Sequence, residues 1–140
     1  MKLIILRHGE TIENQEQIAQ GQLPGHLSEN GKLQIKEISE KLQKEKIDLI
    51  FSSDLGRAQE TVAIVKKYFP KIRVRFSKKI RERNFGSFQG KPYPKNWNFL
   101  VWSEGVLKEN GGESNREIFE RINLFITKMT IKYPEKIIML

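Results

Sequence analysis

The 140-residue chain contains no cysteine. That excludes a disulfide scaffold, cysteine-based zinc sites and thiol catalysis. Histidine is nearly missing, with only His8 and His26 present, so a histidine-rich metal centre is not expected. Long apolar runs are also lacking. The longest, Leu3 to Leu6, is four residues, against the roughly 20 that span a bilayer. A signal peptide is not expected, because charge returns at Arg7 in place of a basic-then-apolar pattern. There is no linker, internal repeat or low-complexity tract. These absences make the cytoplasm the expected compartment and leave no membrane partner.

Acidic residues are in short supply. The 17 Asp and Glu face 25 Lys and Arg, for a net charge of +8. A basic chain can bind a polyanion, or it can carry a surface excess of lysine. The charge is spread along the sequence, densest from Lys66 to Arg83, and no nucleic-acid module accompanies it. Nucleic acid is therefore not the expected partner. With 38% hydrophobic and 30% charged residues, residues 1–140 suit one globular domain with a real core.

The pattern along the chain alternates strands and helices. Lys2 to Leu6 has the look of a buried strand. Ser28 can cap a helix running to about Glu45, with Ile35, Ile38 and Leu42 on one face. Leu49 to Phe51 is a second apolar run. Asp54 can cap a helix to about Tyr68, stopped by Pro70. Ile72, Val74 and Phe76 alternate with arginines as a strand does, and residues 77–113 read as a long irregular region. Ser114 and Glu117 form a capping box for a helix to about Lys132, and Lys136 to Leu140 is a last strand. This order predicts an α/β fold, a three-layer α/β/α arrangement around a mostly parallel sheet.

In such sheets ligands bind at the carboxyl ends of the strands. The first strand empties into Arg7-His8-Gly9-Glu10-Thr11, the second into Ser52-Ser53-Asp54-Leu55-Gly56-Arg57, and the third leads to Arg81-Glu82-Arg83. One rim thus gathers an imidazole, arginines and a carboxylate, a set suited to phosphoryl transfer. Arg57 falls in the first turn of its helix, where free N–H groups also favour an anion.

Arg7-His8-Gly9-Glu10-Thr11 followed by Asn14 resembles the signature of the histidine phosphatase superfamily, the phosphoglycerate mutase-like group. The likeness continues in order through Gln20-Gly21 and Leu27 to Gly31, Ser52 to Thr61, Arg81 to Gly86 with Gly90, and Gly111-Gly112-Glu113-Ser114. The resemblance implies that His8 attacks phosphorus and becomes a phosphohistidine. It implies that Arg7 and Arg57 hold the phosphate with Asn14, that Gln20 and Gly21 border the substrate, and that Glu82 is the general acid and base. The substrate would be a small phosphorylated molecule, with no metal or other cofactor. Arg7 and Arg57 should depress the pKa of His8 and keep it neutral. Gly9 should let the backbone approach the phosphate or take a positive φ.

The family also carries a second catalytic histidine, in a Ser-His-Gly-like motif just after a later strand. That strand is here Lys136 to Leu140, where the sequence stops, and His26 lies in an early loop. A fragment or truncated product is the expectation, with Ile137, Ile138 and Met139 under-covered and the chain less stable or self-associating. A phosphatase leads the functional readings. A mutase with the same chemistry, a non-catalytic phosphate-binding module and a polyanion binder stay open. Tyr93, Trp97, Phe99 and Trp102 either form a lid or pack beneath the loop. The assembly is open too, a homodimer included.

Overall fold

The computed structural model describes residues 1–103 and 105–140, with the side chains of Val101 and Trp102 outside that description. Four strands, β1 (Lys2–Ile4), β2 (Leu49–Ser52), β3 (Arg73–Phe76) and β4 (Ile137–Met139), form one sheet in the order β1-β4-β2-β3. Every neighbouring pair is parallel. The last strand in sequence sits second in space. Leu3 of β1 and Leu49 of β2 both register with Ile138.

Strand periodicity divides the core in two. Ile50 and Met139 face one side, where they meet Ile35 of helix α2 (Glu29–Leu42) and Val62 and Val65 of helix α3 (Gly56–Tyr68). Leu49, Phe51 and Ile138 face the other side, against Met129 of helix α6 (Asn115–Lys132). Phe51 meets Phe125 edge-to-face, ring centres 5.5 Å apart. Helices therefore cover both faces, the arrangement a parallel sheet requires. Among the described residues no helix is long and apolar enough to cross a membrane.

Local sequence explains two of the long helices. Ser28 caps α2 by accepting the Gly31 N–H through its hydroxyl. The Ser114–Glu117 capping box starts α6 as expected. Helix α3 corrects a prediction. Its N-cap is Leu55, with no side-chain cap. The Asp54 carboxylate is instead gripped by both Nε and Nη2 of Arg81 at 2.6 Å.

The ends of the sheet differ from expectation as well. β1 is an edge strand, half-buried at best, and Ile5 just beyond it is 80% exposed. Conversely, Ile138 and Met139 are buried because β1 and β2 flank them and α6 and α3 cover them. Exposed apolar surface lies on α6, at Phe119, Leu124 and Ile131.

The irregular region has more structure than its composition suggests. It contains 3-10 turns at Lys78–Ile80 and Gly86–Phe88 and the short helices α4 (Trp97–Trp102) and α5 (Val106–Glu109). A further short helix, α1 (Ile12–Gln15), follows the first strand. Trp97 collects Phe85, Phe88 and Tyr93 around it, with ring centres 4.9 to 5.9 Å away. Phe99 is exposed.

Candidate active site

Two glycines fix the loop that carries His8. A side chain on Gly9 would collide with the Gly31 carbonyl, and one on Gly31 with the Glu10 carbonyl. Gly9 is thus needed for helix α2 to pack against the loop, and the expected positive φ is not found. The Glu10 carboxylate reinforces the junction by accepting from the Ser28 hydroxyl at 2.7 Å and from Asn30 and Gln15.

His8 is bound at both ring nitrogens. Nδ1 lies 2.7 Å from the Gly9 carbonyl, and Nε2 lies 3.2 Å from Nε of Arg57. A guanidinium can only donate, and a carbonyl can only accept. The proton therefore sits on Nδ1 and the lone pair on Nε2. Burial is the main force lowering the His8 pKa below its ordinary 6.5, and the positive charges of Arg57 and Arg7 add to it. The Gly9 carbonyl and the Glu82 charge pull the other way. The net result favours a neutral ring, with the Nε2 pair accepting from Arg57.

Arg57 is 3% exposed. Its Nη1 donates to the Leu23 carbonyl at 2.8 Å and its Nη2 to the Gly21 carbonyl at 2.9 Å. Of five guanidinium N–H groups, those three contacts leave two for an anion. Burial lowers its pKa, although a guanidinium stays charged. At the helix start, three of the N–H groups expected to be free are taken. The Arg57 N–H is taken by Pro24, and those of Ala58 and Gln59 by Leu55.

Arg7 is exposed and, among the described residues, makes no hydrogen bond or ion pair. Its guanidinium is ready for an anion. Glu82 shares a cleft of about 360 Å³ with Arg7, His8, Arg57 and Ser53, floored by apolar residues such as Ile50 and Val62. Its Oε1 accepts the Arg83 N–H at 2.7 Å. A second, polar hollow of about 280 Å³ is lined by Arg7, His8, Gly9, Glu10, Asn14 and Gln34.

The remaining sequence candidates also make contacts within the framework. Asn14 reaches the polar hollow, but its Oδ1 also accepts the Thr11 N–H in a capping box. Gln20 is buried and donates to Thr11 Oγ1 at 2.7 Å. Gly21 contributes its carbonyl to Arg57. His26 lines neither hollow and pairs instead with Glu60 at 2.8 Å. Tyr93 feels the charges of Arg7, Glu82 and Arg57, and burial raises its phenol pKa. Among the described residues no cluster of three or more His, Asp or Glu is placed to hold a metal ion.

Sequence reasoning missed Gln22, Glu113 and Arg121, which meet beneath Glu82. Glu113 was visible only as part of a Gly-Gly-Glu-Ser string. Arg121 looked like any charge on a helix.

A family described as "Histidine phosphatase superfamily (branch 1)" matches residues 3–140. Glucosyl-3-phosphoglycerate phosphatase of Mycobacterium tuberculosis is 32% identical over 140 residues, covering 96% of this chain and 62% of its own length. Metal-independent phosphoserine phosphatase of Arabidopsis thaliana is 36% identical over 109 residues, with 77% and 42% covered. The solved complex of mycobacterial glucosyl-3-phosphoglycerate phosphatase with VO3 superposes with a TM-score of 0.87 at 27% identity, over 99% of this chain and 73% of that one. The chain spans less than two thirds of the length of the curated relatives it matches.

Proposed function

The chain belongs to the histidine phosphatase superfamily (branch 1), and from that premise we propose that it hydrolyses phosphomonoesters of small molecules through a phosphohistidine on His8. The observation that carries this reading is the tautomer. Gly9 holds the proton on Nδ1 and Arg57 donates to the Nε2 pair, beside a cleft that both arginines line; Arg57 gives up that contact as the pair attacks.

The chemistry balances over two steps. The Nε2 pair attacks phosphorus, and the bond from phosphorus to the leaving oxygen breaks. Glu82, as the carboxylic acid, gives that oxygen a proton. A water then attacks phosphorus and passes its proton to Glu82, and the P–N bond returns its electrons to Nε2. Arg7 and the two remaining Arg57 N–H groups offset charge on the phosphoryl oxygens throughout. The steps use side chains and one water, in keeping with a relative named as metal-independent.

The test is release of inorganic phosphate from an aryl phosphate by the chain and by its His8→Ala variant. Turnover and an acid-labile phosphoenzyme in the parent, both absent from the variant, support the reading. Equal release from both proteins overturns it. Transfer of phosphate between positions of phosphoglycerate, without net release, would make the chain a mutase.

A further inference from the structure

The short segment that carries Glu82 has little regular structure to hold it. It follows a 3-10 turn at Lys78–Ile80 and runs without helix or strand to Gly86. A loop left to itself would carry its carboxylate through many positions, and a proton donor displaced by about 1 Å loses much of its value. The backbone here is nevertheless bound on both sides of Glu82, and the groups that bind it come from another part of the chain.

Arg121, on the second turn of α6, donates through Nη1 to the carbonyls of both Lys79 and Arg81 at 2.9 Å. Its Nη2 makes a longer contact with the Glu82 carbonyl at 3.5 Å. The remaining edge of the guanidinium forms a two-point pair with Glu113, Nε to Oε1 at 2.8 Å and Nη2 to Oε2 at 2.9 Å. Oε2 of Glu113 then accepts the Asn84 N–H at 2.8 Å. The Gln22 amide closes the ring, donating to the Glu82 carbonyl at 3.1 Å. Both charged side chains are largely buried, at 14% and 20% exposure. A buried pair is held firmly only when its remaining donors and acceptors are satisfied, and here the protein backbone satisfies them.

We propose that Glu113 and Arg121 are positioning residues that hold Glu82 against the leaving group. Neither lines the cleft shared by His8 and Glu82. Their effect passes through the backbone of residues 79–84. The inference rests on the reading of Glu82 as the proton donor, and it gives the Gly-Gly-Glu-Ser segment a purpose beyond starting a helix.

A proton donor matters most when the leaving oxygen is strongly basic. An alkyl phosphate needs it, whereas p-nitrophenolate departs with little help. The experiment compares kcat/KM for glycerol phosphate and p-nitrophenyl phosphate in the full 140-residue chain. A positioned acid contributes about 100- to 10,000-fold, so the alkyl-to-aryl ratio should fall at least about tenfold in Arg121→Gln, and further in Glu82→Gln. Arg121→Lys keeps the charge but cannot fork, and should fall between. Glu113→Gln, nearly isosteric, should move the ratio the same way and guards against misfolding of the arginine variant. The double variant Glu82→Gln/Arg121→Gln should keep the ratio of Glu82→Gln alone.

Equal losses on both substrates, or a double variant that falls below Glu82→Gln, would overturn the positioning role. If the parent turns over neither substrate, the proposed function fails, and amide hydrogen exchange then decides the clamp. Exchange at Asn84 at least about tenfold faster in Arg121→Gln and Glu113→Gln, with α3 amides unchanged, supports it. Unchanged protection at Asn84 overturns it.

Discussion

Nε of Arg57 lies 3.2 Å from Nε2 of His8. The contact makes Arg57 a partner of the imidazole itself. It donates to the Nε2 pair and, with the Gly9 carbonyl at Nδ1, fixes the ring tautomer. It also ties His8 to the carbonyls of Gly21 and Leu23.

Arg57→Lys should therefore fail twice. The charge survives, but the planar fork does not. Loss of a donor aimed at developing charge costs about 100- to 1,000-fold in kcat. Each carbonyl left without a partner costs roughly 1–3 kcal/mol. Phosphate release and a urea midpoint, measured on the same preparation, should both drop. A variant that keeps the parent's midpoint would show that the two carbonyls find other partners.

The acid limb of the pH–rate profile should lie below pH 6.5. His8 must be neutral to attack, and burial with the flanking arginines holds its pKa under that value. Activity falls as pH drops through the lowered pKa. Arg7→Ala removes one of the depressing charges, so its acid limb should move upward. The same shift enters stability. Between the folded pKa and about 6.5 the unfolded chain binds more protons, so His8 costs stability as the pH falls through that window.

His26 should act with the opposite sign. Its hydrogen bond to Glu60 raises its pKa above 6.5. The resulting stabilisation is complete below pH 6.5 and fades as pH rises through the folded value. The pair is exposed and its effect small. Melting curves of His26→Gln and the parent should differ most at acidic pH and converge above neutrality. A difference constant with pH would assign the effect to packing.

Gly31→Ala should cost about 1–3 kcal/mol, the usual range for overpacking a tight contact. The added methyl would press on the Glu10 backbone, its carbonyl and amide nitrogen alike, and that push moves the loop bearing His8. The urea midpoint and the pKa of His8, read by NMR titration, should shift together. A lowered midpoint with an unmoved His8 would show that the helix yields instead of the loop.

The elements that are regular and amphipathic could be read from sequence. Ser28 and Ser114 announced α2 and α6, and Ile50 and Phe51 announced a central strand. The arrangement of charge at the strand ends pointed to His8, Arg7, Arg57 and Glu82. What could not be read depended on contacts between distant residues. Asp54 has the profile of a helix cap, and only Arg81 arriving from the next loop draws it away. The need for glycine at Gly9 shows only when Gly31 is placed against it. Glu113 and Arg121 carry no local signature, because their partners are backbone carbonyls and an amide of another segment.

The position of β4 sets the order in which the sheet can close. Among the described residues β1 pairs in the sheet only with β4, a strand far from it in sequence. Helices α2 and α3 can fold on β2 and β3 early, since these contacts are near in sequence. The loop that carries His8 also finds its partners early, at Ser28, Gly31 and Arg57. Closure of β1 on β4 spans a much longer stretch of chain and is slow. The strand that leads into His8 is thus the last of these four to be fixed, after the loop it feeds has already met its neighbours.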